Sequence, residues 1–206
     1  MNNRSSRFRI PVTALLLVFV FLATSHARRG KEPVFATSAE DPLLQARLRA
    51  LGPEVDPAEA RRVAFTAFTT GTDLAREWQV VWPPGLQNFL VHQGKRKGGL
   101  CFQWATELLV RLDALKLQTL EFHWAESLPN TASEHNVIVI TAKGQPFEQG
   151  ILLDNWRYLG RLIWGPAALD PHYEWKENKP EAIRRLRDHY HQIGTATKAG
   201  RGTVPR

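Results

Sequence analysis

The chain of 206 residues has a single cysteine, Cys101, one methionine and three tyrosines. One cysteine excludes an intramolecular disulfide and any zinc site built from cysteine pairs. Acidic residues are missing from positions 1–27, which hold Arg4, Arg7 and Arg9, so part of the formal charge of +7 lies outside the body of the chain. Setting that stretch aside leaves 24 Lys+Arg against 20 Asp+Glu. Setting aside Arg28, Arg29, Lys31, Lys198, Arg201 and Arg206 as well leaves 18 against 20, or −2 for residues 32–197. A nucleic-acid-binding domain spreads cations over a folded face, because each neutralised phosphate adds affinity. Only Lys95-Arg96-Lys97 has that character, so no nucleic-acid partner is expected. What is present, 43% hydrophobic residues with seven Trp, suffices to close one core.

Residues 1–27 have the layout of an export signal: a basic start through Arg9, an apolar run from Ala14 to Ala23, then small residues ending at Ala27. Export to the periplasm or the medium is expected, with cleavage after Ala27. The alternative is an uncleaved N-terminal anchor, the only membrane association the sequence suggests. The unbroken run would rise only about 15 Å as helix against a hydrocarbon layer of about 30 Å. Residues 28–41 read as a polar connector, 42–193 as the folded domain and 194–206 as a disordered tail.

Within the domain, Pro42–Leu51 reads as a short helix. Asp56 and Pro57 suit the cap and first position of a longer one, which Gly71 is expected to break. Residues 80–99 carry Trp82-Pro83-Pro84-Gly85, Gly94 and Gly98-Gly99, and read as a covering loop with an amphipathic patch near Leu86–Val91. From Cys101, the residues Trp104, Leu108, Leu109, Leu112 and Leu115 recur at helical spacing. Cys101 therefore opens a buried helix, where unpaired N–H groups and the helix dipole favour an anion and hence the thiolate.

The period then changes to two. Leu120–Trp124, His135–Ile140 and Gly150–Trp156 read as strands, with Arg161–Ile163 as a fourth and Pro180–His191 as a last helix. The turn between the second and third strands implies an antiparallel hairpin. His135 begins one strand and Asp154 ends the next, so they become neighbours. If the sheet packs on the Cys101 helix, all three meet at one rim.

Gly99-Leu100-Cys101 opening a helix, Glu134-His135-Asn136-Val137 opening a strand and Leu153-Asp154-Asn155-Trp156 closing the next resemble the motifs of transglutaminase-like cysteine enzymes, over residues 98–160. The intervals between Cys, His and Asp are 34 and 19 residues. The resemblance implies an α+β fold with a papain-like core: a nucleophile helix on a small antiparallel sheet, with extra N-terminal helices. It implies that Cys101 is the nucleophile, His135 its base and then acid, and Asp154 the group that orients the imidazole, and it fits the aromatic Trp104 and Trp156. The expected activity is cleavage or transfer of an amide-linked acyl group on a peptide or protein through a thioester, with no cofactor or metal. The Cys101 N–H and a second donor from the upstream loop, among Trp82, Gln87 and Gln93, would hold the oxyanion. The alternative is an inactive domain of the same shape that binds a peptide or cell-wall component.

Overall fold

The computed structural model describes residues 34–200, with side chains through Thr195; the expected export signal lies outside them. Strand β1 (Val34–Phe35) precedes helix α1 (Pro42–Arg49). The Asp41 carboxylate caps α1, accepting the N–H groups of Leu43 and Leu44 at 2.9 Å each. Helix α2 (Pro57–Glu77) starts with Pro57 in its first turn, and Asp56 accepts the Ala58 N–H at 2.8 Å. Helix α3 (Pro84–His92) follows, then α4 (Cys101–Ala114). The long antiparallel pair β2 (Leu120–Ser127) and β3 (His135–Ala142) is followed by β4 (Ile151–Asp154), β5 (Ile163–Pro166), β6 (Lys176–Glu177) and helix α5 (Lys179–Gly200).

The strands form one antiparallel sheet in the order β1-β5-β4-β3-β2-β6, so the fold is α+β. Strand β3 is central and buried on both faces, which is why its sequence reads as a nearly continuous apolar run. Ile138 and Ile140 face the helices and join Leu44, Val63, Leu108, Leu112 and Trp124 in the main core. Val137 and Val139 face the other way, into a smaller cluster with Ala125, Phe147, Leu152 and Trp175. Residues Glu59 and Thr119 tie the helical layer to the sheet. The buried Glu59 carboxylate accepts the backbone N–H groups of Gln118 at 2.6 Å and Thr119 at 2.8 Å, and the Thr119 hydroxyl at 2.7 Å.

Five expectations need correction. The segment 80–99 is not loop throughout, because Pro84–His92 forms helix α3, with Pro84 in its first turn. Helix α2 runs unbroken through Gly71. A Cβ there would lie 2.3 Å from the Gly160 carbonyl oxygen and 2.8 Å from Asn155 Oδ1, so the glycine admits the loop after β4 and does not end the helix. The region 28–41 is not connector to its end, because Val34 and Phe35 pair with Trp164 and Ile163 at the sheet edge. The tail expected from 194 is helical as far as Gly200, since α5 continues past His191. The fourth strand begins at Ile163, beyond the turn at Tyr158–Gly160, and runs to Pro166.

Candidate active site

The start of α4 is built to hold one position. Leu100 is extended at its cap, and Gly99 has φ +136°, a conformation in which a Cβ would also lie 2.5 Å from Gln87 Cγ. Gln103, in the first turn, turns back so that its Oε1 accepts the N–H groups of Gly99 and Leu100 at 3.0 Å each. The buried Trp104 donates its indole N–H to the Gly99 carbonyl at 3.1 Å. Cys101 is left as the first helical residue, half-buried, with a backbone N–H that has no acceptor within the helix. Its thiol donates to the Glu134 carbonyl at 3.6 Å, and Asn136 Nδ2 donates to the sulfur at 3.7 Å. Asn136 lies on the helix-facing side of β3. It is fixed by accepting the Trp124 indole N–H at 3.0 Å and by donating to Glu134 Oε1 at 3.0 Å.

His135 opens β3 and is fully buried, as is Asp154 at the end of β4. The hairpin brings them to 2.8 Å, His135 Nε2–H donating to Asp154 Oδ2. A carboxylate only accepts, so this bond fixes the hydrogen on Nε2 and leaves Nδ1 for another partner. Nδ1 is buried and has no hydrogen-bond partner of normal geometry. The thiol's own partners, Glu134 and Asn136, are the residues on either side of His135 in the chain. Burial pushes the His135 pKa down, but the charge and hydrogen bond of Asp154 outweigh it, Cys101 adds to them, and the result is about 9. Burial likewise pushes the Asp154 carboxyl up, but the His135 charge, its hydrogen bond and Arg157 hold it well below the usual carboxylate range.

Asp154 has a second cation. Arg157 Nε donates to the same Oδ2 at 2.6 Å, while Oδ1 accepts the backbone N–H groups of Trp156 at 2.8 Å and Arg157 at 3.1 Å. The guanidinium runs on to Asp170, donating from Nη1 at 3.1 Å and also from Nη2. Asp170 in turn accepts the Trp175 indole N–H at 3.0 Å. The row His135–Asp154–Arg157–Asp170 thus alternates in sign, which is how several charges can share a dry interior. Three rings enclose the imidazole, with centroids at 4.6 Å for Trp156, 4.8 Å for Tyr173 and 5.3 Å for Trp175.

Of the residues singled out in the sequence, Cys101, His135, Asp154 and Trp156 gather at this end of the sheet. Trp104 stays behind it as core. The three expected oxyanion donors are elsewhere in the contacts. Gln87 is buried and committed, donating to the Gly98 carbonyl at 2.7 Å and accepting the Val81 N–H at 3.0 Å. Gln93 is exposed at the end of α3, and Trp82 is exposed and stacked 6.2 Å from Tyr158. The side-chain donor at the sulfur is instead Asn136, whose place beside His135 in the strand was a usable signal. Arg157, Asp170 and Tyr173 had none, because they come together through loops.

Among the described residues, no group of three or more His, Cys, Asp or Glu is placed to hold a metal ion. No helix there is long and apolar enough to cross a membrane. Comparison of the chain with protein-family models, with curated proteins and with solved structures finds no match.

Proposed function

We propose that the protein is a transglutaminase-like thiol enzyme with a papain-like core, which cleaves or transfers an amide-linked acyl group of a peptide or protein. The observation that carries this reading is the buried His135. One ring nitrogen is bonded to Asp154, the other has no hydrogen-bond partner, and the only thiol in the chain is held by the Glu134 carbonyl and the Asn136 amide, the residues flanking His135. A histidine kept only for packing would have both nitrogens satisfied or exposed.

In the proposed reaction the Cys101 proton passes to His135, and the sulfur attacks the substrate carbonyl. The Cys101 N–H and the Asn136 amide are the donors available to the oxyanion. Collapse of the tetrahedral intermediate breaks the carbon–nitrogen bond, and His135 delivers its proton to the leaving amine. Water, deprotonated by the now neutral His135, hydrolyses the thioester; an amine arriving in its place completes a transfer. Asp154 keeps the ring in one tautomer and orientation through both halves, and the Arg157–Asp170 pair and three aromatic rings restrain Asp154 and the ring.

Alkylation kinetics test this. Cys101 of the full chain should react with iodoacetamide at pH 7 at least tenfold faster than a peptide thiol, and His135→Ala should remove the excess. Equal, slow labelling of both proteins would favour the inactive peptide-binding domain.

A further inference from the structure

Helix α3 is turned inside out for a helix on a protein surface. Its fully buried residue is polar, Gln87, while Leu86 and Phe89 are 43% and 58% exposed, and Trp82 just before it is 65% exposed. Leu86 and Phe89 are three residues apart and share one outward face of the helix, and exposed Trp82 lies just before its start. A surface helix ordinarily does the reverse. The inversion is held in place: Gln87 ties Val81 to Gly98, as described above, and Arg96 donates from Nε to the Gln79 carbonyl at 3.0 Å.

The end of α3 sets the charge beside this face. The Gly94 N–H bonds to the Val91 carbonyl at 2.9 Å and the Lys95 N–H to the Leu90 carbonyl at 2.8 Å, with Gly94 at φ +67°. This is a Schellman stop, which folds the chain back at the helix terminus. It pins Lys95, Arg96 and Lys97 at the C-terminal, electronegative end of the helix dipole. Among the described residues none of the three forms an ion pair. The surface therefore presents Trp, Leu and Phe next to three cations that have no acidic partner among the described residues.

We infer that α3 and the Lys95–Lys97 turn form a docking surface for an anionic lipid bilayer, with Trp82, Leu86 and Phe89 entering the interface and the cations meeting lipid headgroups. Aromatic and aliphatic side chains flanked by Lys and Arg are the composition of helices that lie in a membrane interface. Charge selects this occupant over the others. The N-terminal apolar segment is bordered by Arg4, Arg7, Arg9, Arg28, Arg29 and Lys31 with no acid through residue 31, so it would bring like charge to the turn. A second copy placed face to face would do the same. A nucleic acid would use the cations but leave Leu86 and Phe89 without an apolar partner, and residues 32–197 as a whole carry a net −2. Because α3 leads through Gly98-Gly99 into Cys101, docking would bring the start of α4 close to the bilayer.

The test is hydrogen–deuterium exchange of the full chain, with vesicles of mixed phosphatidylglycerol and phosphatidylcholine, with phosphatidylcholine alone, and with a single-stranded oligonucleotide. The expected result is slowed exchange over residues 82–97 with the anionic vesicles only. Vesicle affinity of the Lys95→Glu/Lys97→Glu variant should fall at least tenfold, from the usual contribution of each basic residue at such a surface, with its melting temperature unchanged. A Phe89→Ser variant, which leaves the charge intact, should also lose protection. Binding confined to residues 1–33 with unchanged exchange over 82–97, protection by the oligonucleotide equal to that by vesicles, or no vesicle binding would overturn the inference.

Discussion

His135 and Asp154 are each held in the charged form by the other, and this has a measurable sign. The folded pKa of His135, about 9, lies above its ordinary 6.5. Its contribution to stability is therefore complete below pH 6.5 and is lost as pH rises through 9. Asp154 is shifted the other way, so its contribution is complete above its ordinary value of 3.8 and disappears as pH falls below that. The buried carboxylate of Glu59 acts in the same direction. Burial pushes it up, but hydrogen bonds from Thr119 and from the backbone of Gln118, Thr119 and Leu120 bring it below its usual value. Urea unfolding of the full chain between pH 5 and 10 should show a plateau to about pH 6.5 and then a decline on the order of 3 kcal/mol. The decline should be absent in His135→Gln. A flat profile through pH 9 in the native protein would mean that the ring is not held as imidazolium.

At the scale of elements, the sequence was most legible where a local signal and a tertiary requirement agree. Gly98-Gly99 followed by the Trp104–Leu112 repeat marks the start of α4, and the structure begins the helix at Cys101. The turn around Gly144 marks the hairpin that joins His135 to Asp154. Gly71 suggests a break in the sequence but does not make one, because its reason is long-range: the loop bearing Asn155 and Gly160 lies against α2 where any side chain would stand. Strands β1 and β6, two residues each, are too short to show a period. The inversion of α3 was half visible as an amphipathic patch, but sequence alone does not say which side faces inward. Arg157 and Asp170 are thirteen residues apart and meet only because β5 and the loop after it return to the end of β4. Gly71→Ala tests the reading of α2. It should destabilise the protein by about 2–3 kcal/mol, the usual cost of overpacking, with helix content retained by circular dichroism. A more stable Gly71→Ala protein would show that the loop yields easily and that close approach is not why glycine is there.

For the molecule as a whole, the sheet is the frame that makes one rim out of three distant segments. Strand β3 is paired on both sides, β2 with β6 covers one flank and β4 with β5 the other, while α4 rests on the sheet so that the sulfur meets the start of β3. Segment 170–175 then closes the far side with Asp170, Tyr173 and Trp175. The proposed chemistry needs this frame to hold an acyl group on Cys101, and the acyl-enzyme can be looked for directly. Mass spectrometry of the full chain after brief exposure to p-nitrophenyl acetate at pH 7 should show one acetyl group on Cys101. It should form faster than on glutathione, disappear as hydrolysis proceeds, and be lost in His135→Ala. Acetylation of Cys101 no faster than glutathione, and indifferent to His135, would contradict the account.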